Sequence, residues 1–241
     1  MIDDDLLRPR RRRGIFYVPY KISFFAIFAA IFGIVLILLF LDIVGAAFKT
    51  LFPTLGAGGV LLLLGSSLLG SYVNIPIHRV TSRRPIIRVR YVNVFGVTYH
   101  VPIIEHGAGT TLIAVNLGGA VVPTLVSIYA LTRSPSSIPY ALAATVFVTA
   151  VTKLVSRPVL GVGIIAPSLV PPLNAALVAT LMGTNSHIVA YVAGTMGTLI
   201  GADLLNLRTI PRLGSPIVSI GGAGTFDGIF FSGIVAVILA A

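Results

Sequence analysis

Apolar residues fall along this chain in long blocks, separated by short polar breaks, with little of the in–out alternation of a soluble domain. Blocks long enough to cross a bilayer, or nearly so, lie at about residues 22–48, 54–74, 108–132, 141–156, 164–183, 185–207 and 225–241. They predict seven membrane-spanning helices. The segment from Ser156 to Asn174, "SRPVLGVGIIAPSLVPPLN", is apolar but carries Pro158, Pro167, Pro171 and Pro172, so a broken or re-entrant piece is expected there. Residues 75–107 are the one sizeable stretch outside the membrane. Within them "IIRVRYVNVFGVTYHV" alternates and is rich in β-branched and aromatic residues, which predicts a β-hairpin turning near Asn93 to Gly96. Such a hairpin can act as a lid over helix ends, or as an edge that accepts an extended peptide. The expected fold is an all-α polytopic membrane protein with this small cytosolic hairpin: a basic tail at 1–21, helices one and two over 22–74, the hairpin loop over 75–107, and helices three to seven over 108–241.

Composition strengthens that reading. Of 241 residues 56% are hydrophobic and only 10% charged, a balance that excludes an ordinary soluble domain. The first apolar block is too long for the core of a cleavable signal peptide. A net charge of +10 could suggest nucleic acid, but the charges sit as membrane flanks do. The cluster "RPRRRRG" (Arg8 to Arg13) precedes the first span, where such residues fix orientation and meet anionic lipid headgroups. With the N-terminus inside, every one of the 17 Lys+Arg except Lys49 and Arg133 lies on the inner side. The expected location is a cell membrane, multi-pass, with the N-terminus cytosolic and the C-terminus outside. Lipid is the expected partner and nucleic acid is not.

Candidate chemistry is scarce, which makes it easy to locate. Cys 0 removes disulfides, thiolate metal sites and cysteine nucleophiles. His78, His100, His106 and His187 have no metal-ligand spacing, so no metal or other cofactor is expected. Of seven Asp+Glu, three (Asp3, Asp4, Asp5) belong to the tail. Asp42 is read as an interfacial anchor near the outer end of span one, and Glu105 as a helix cap or a partner for a loop arginine. Asp203, in "GTLIGADLLNL", and Asp227, in "GGAGTFDGIFF", are different. On successive antiparallel helices they fall near one depth. At a helix N-terminus Asp227 gains from the dipole, whereas Asp203 near a C-terminus does not. Two carboxylates that meet in an apolar setting share one proton and serve together as base and acid. Gly222, Gly224 and Gly228 leave backbone uncovered around Asp227. The stretch Ile217, Val218, Ser219 and Ile220 is expected to be extended with an unpaired edge, able to hold a peptide as a strand.

Three segments, "NLGGAVVPTLVSIYAL", "AGTMGTLIGADLLNL" and "SIGGAGTFDGIFFSGIVAVILA", resemble the signature blocks of an uncharacterised multi-pass family of archaea and bacteria, a domain of unknown function. That resemblance brings no activity with it. More distantly, "GTFDGIFFSGIVAVIL" is similar to the GxGD block of the presenilin and signal peptide peptidase group of intramembrane aspartyl proteases. The likeness implies that Gly224 matches the first glycine of the motif, Asp227 the catalytic aspartate of the seventh helix, and Asp203 its partner on the sixth. Phe226 stands at the second glycine and Ala202 at the tyrosine that precedes the partner. Proline chemistry like that group's terminal motif occurs earlier here, in "APSLVPPLNAAL", which adds Pro171 and Pro172 to the substrate-binding candidates. The implied activity is hydrolysis of peptide bonds in membrane-spanning substrates.

Two other readings use the same features. A proton- or ion-coupled transporter or channel would employ the broken segments, the acids and the in-membrane residues Asn116, Asn174 and Asn206. A non-catalytic scaffold would need none of them.

Overall fold

The computed structural model describes residues 24–53, 57–82, 86–94, 97–105, 109–160, 163–222 and 228–240. The first apolar block forms α1, Phe24–Leu51, and ends just before Pro53. Contacts divide the chain after Asp42. Up to that point α1 presents its apolar side chains outward, among them Ile27, Ile31, Ile34 and Leu38, and Phe28 stacks on Phe32 with centroids 6.3 Å apart. Hydrocarbon is the solvent in which such a surface is ordinary.

The second unit, Ile43–Ala241, contains the last turns of α1 and all later elements. Four helices form its apolar centre: α4 (Ile138–Val155), α5 (Val170–Met182), α6 (Ser186–Thr198) and α7 (Gly228–Ala240). They meet through small side chains, with Ala144, Ala175, Ala179, Ala190, Ala193 and Ala236 fully buried. Lipid supplies no hydrophobic drive between helices, so close approach of small residues is what holds them. Phe48, at the end of α1, packs within 6.5 Å of Tyr191 and 6.3 Å of Phe230.

Two further helices, α2 (Ala57–Gly70) and α3 (Val122–Arg133), are short. Among the described residues three helical stretches are long and apolar enough to cross a membrane: Ala26–Leu51, Pro135–Val155 and Ser186–Arg212. The others run for 10–17 residues.

The all-α expectation is corrected by a three-stranded sheet. Its strands are β1 (Asn74–Thr81), β4 (Thr110–Asn116) and β7 (Ile217–Ile220), in the order β1-β4-β7. β1 runs antiparallel to β4, from Asn74 opposite Asn116 to Thr81 opposite Thr110, and β7 runs parallel to β4, from Leu112 opposite Ile217 to Val115 opposite Ile220. The expected span at 108–132 therefore begins as a strand. Thr110, Thr111, Ile113 and Val115 are β-branched, and Thr111, Ile113, Ala114 and Asn116 are buried before the chain turns helical. The change of structure falls at Asn116. Its Oδ1 accepts from Gly119 N at 2.7 Å and its Nδ2 donates to Ser71 O at 2.6 Å, capping the π turn Leu117–Val121 that leads into α3.

The expected hairpin is present as β2 (Ile86–Val94) and β3 (Val97–Glu105), paired from Ile86 opposite Glu105 to Val94 opposite Val97. The proline-rich segment holds a small ribbon, β5 (Arg157–Val159) with β6 (Gly163–Ile165), ahead of α5.

Candidate functional site

Asp203 owes its position to a change in helical repeat. α6 widens into a π turn at Leu199–Asp203 and then tightens into a 3-10 helix, Leu204–Arg212. π turns inside longer helices recur at functional sites. Gly201, within the turn, lies against α4: a Cβ there would sit 2.7 Å from Thr149 O and 2.8 Å from the Thr152 Cβ. Only a residue without a side chain lets the wide turn seat this closely.

The half-buried carboxylate of Asp203 accepts a hydrogen bond through Oδ2 from the backbone N–H of Gly221, at 2.7 Å. Gly221 stands immediately after β7 with φ +85°, the left-handed region that glycine adopts without penalty. A Cβ on it would lie 2.6 Å from the Ala120 Cβ. The donor is thus fixed from two sides, by the end of a strand and by the π turn before α3. No ion pair to Asp203 occurs among the described residues.

A cavity of about 230 Å³ opens beside this carboxylate. Thr198, Ala202, Asp203, Gly228 and Ile229 form one wall, and residues 164–168 with Pro171 form the other. Asp227 and Gly224 lie outside the described residues. Gly228, which follows Asp227 in sequence, faces the cavity and is the first residue of α7.

The remaining sequence-derived candidates distribute around this cavity. Pro171 lines it, in the first turn of α5, whereas Pro172 is buried and is not part of the wall. Gly222 has φ +83° and continues the turn begun at Gly221. In β7, Ile217 is exposed, Val218 and Ile220 are buried, and Ser219 is half-buried with its hydroxyl on Asn74 Oδ1. β4 occupies one side of β7, and no strand pairs with the other among the described residues. Asp42 is exposed on α1, Glu105 closes β3, and His106 lies outside the described residues.

The amides invoked for transport are taken up by the fold. Asn116 caps the π turn, Asn174 Nδ2 donates to Val170 O at 2.8 Å, and Asn206 Nδ2 donates to Ala202 O at 2.7 Å. Sequence reasoning missed Thr198, one turn before Asp203, although "GTLIGAD" holds the signal: a hydroxyl five residues ahead of an acid in an apolar helix. It also missed residues 164–168, whose place opposite Asp203 depends on the β5–β6 ribbon.

Among the described residues, fold and site together define a largely helical chain with three helices of membrane-spanning length and Asp203 at the wall of a cavity. The chain belongs to the family described as "Protein of unknown function (DUF1614)", which matches residues 68–239 and so includes the whole sheet, α3 to α7 and Asp203. No curated protein and no solved structure matches the chain.

Proposed function

We propose that this protein is a GxGD-like intramembrane aspartyl protease that crosses the membrane seven times, with its N-terminus inside, its basic tail on anionic headgroups and its C-terminus outside. Asp203 and Asp227 are the catalytic pair. The observation that carries the reading is the shared wall: Asp203 and Gly228, the neighbour of Asp227, line one cavity, and β7 runs directly into the glycine that holds the Asp203 carboxylate.

The chemistry requires one proton between two carboxyl groups. The ionised group takes a proton from water as the water oxygen bonds to the peptide carbonyl carbon, while the protonated group gives its proton to the carbonyl oxygen. A second proton transfer, to the amide nitrogen, lets the C–N bond break. A helical substrate cannot present its carbonyl this way until it is unwound, and the edge of β7 that no described strand pairs offers backbone groups to an extended chain. Gly228, with open space where a side chain would stand, leaves that approach clear. Transport is the weaker reading, because Asn116, Asn174 and Asn206 all spend their amides on nearby backbone.

The test is cleavage of generic transmembrane peptides by purified protein, by Asp203→Asn and by Asp227→Asn, with and without a transition-state inhibitor of aspartyl proteases. Cleavage by the native protein alone, abolished by the inhibitor, is expected. Equal activity in all three forms would remove the proposal.

A further inference from the structure

A residue with no hydrogen bond to the Asp203 carboxylate holds the turn on which Asp203 stands. Where one helical repeat gives way to a tighter one, carbonyl groups at the junction lose their regular partners. Gly201 O and Ala202 O are at such a junction, and both accept from Asn206 Nδ2, at 3.2 and 2.7 Å. Asn206 is 3% exposed. Its remaining polar atom, Oδ1, accepts from Lys153 Nζ, on the last turn of α4, and the same ammonium donates to Leu205 O at 3.1 Å. This arrangement fixes the amide orientation: the oxygen must face the ammonium and the nitrogen the two carbonyls.

We infer that Asn206, anchored by Lys153, is the positioning residue for Asp203, an inference whose functional half rests on the protease reading above. The clamp closes the two carbonyls that immediately precede Asp203, so it sets the rotation of that residue about the helix axis. Rotation decides whether the carboxylate meets Gly221 N or swings away from it. Without the clamp the π turn is free to relax to a regular repeat, which turns the side chain around the axis even though the aspartate and its cavity remain. Asn206 thus acts through geometry, and Lys153 acts through Asn206.

The chain has only seven Asp+Glu, so the carboxyl stretch of Asp203 can be isolated as the infrared difference between the protein and its Asp203→Asn form. In Asn206→Ala this band is expected to move, reporting loss of the Gly221 N–H bond. In cleavage assays kcat is expected to fall about 100-fold with KM unchanged, as for a reacting group displaced by about 1 Å. Asn206→Asp keeps the acceptor for Lys153 but loses the two donors, and should match Asn206→Ala. Lys153→Met should move the band less, and Lys153→Arg should restore it. These milder variants carry the test if Asn206→Ala does not fold. A band that stays in place in Asn206→Asp and Lys153→Met overturns the inference. A native protein that cleaves no transmembrane peptide, yet shows the band shift, sinks the protease and leaves the positioning role standing.

Discussion

At the scale of single residues, the Asp203 carboxylate is held by the N–H of Gly221. Its φ of +85° and the 2.6 Å approach to Ala120 leave no room for any other residue. Gly221→Ala should cost about 1–3 kcal/mol from backbone strain alone, more with the clash, and show as a lowered midpoint in thermal unfolding in detergent. Asp203→Asn should differ in kind. The amide oxygen still accepts from Gly221, so the unfolding midpoint should stay close to that of the native protein while peptide cleavage is lost. Asp203 was legible in the sequence because an acid among apolar neighbours has no ordinary explanation. Its hydrogen-bond partner and the clamp on its turn were not, since Gly221 N is backbone and Asn206 reads as one more polar residue until the helical repeat around it is known.

Among the elements, the places where the chain changes structure govern the site. β4 converts to helix at Asn116, α6 converts twice around Asp203, and β7 ends in two glycines of positive φ. Asn116→Ala leaves Ser71 O and Gly119 N without their buried side-chain partner. A loss of about 1–3 kcal/mol is expected, measurable by equilibrium unfolding in mixed micelles. The hairpin of β2 and β3 was legible because period-two alternation with a turn near Asn93 to Gly96 has one sensible fold. Residues 110–116 were not, because a buried strand running into a helix makes one unbroken apolar stretch, and hydropathy alone does not say where the period changes. The extended shape of residues 217–220 was readable from β-branched residues between Pro216 and paired glycines, while their pairing with β4 joins positions about a hundred residues apart and leaves no local trace.

For the whole molecule, the blocks of apolar residues were the readable part, and among the described residues three stretches have the length and hydropathy to cross a membrane. The proposed seven-span arrangement makes a direct prediction, and the absence of cysteine makes it simple to check. Ser136 and Arg157 are exposed before and after α4. In intact cells a membrane-impermeant thiol reagent should modify Ser136→Cys and spare Arg157→Cys until the membrane is opened. The reverse order would invert the topology, and equal reaction would remove α4 as a span.

The brevity of α5, 13 residues with described chain on both sides, carries a consequence for any surrounding lipid. At about 1.5 Å per residue it rises about 20 Å, well short of the 30 Å or so of a typical hydrocarbon layer. A rod this short, if it faces lipid, draws the acyl chains inward and brings headgroups and water closer to mid-depth. Reconstitution into phosphatidylcholine of decreasing chain length should therefore raise the unfolding midpoint until thickness and helix agree.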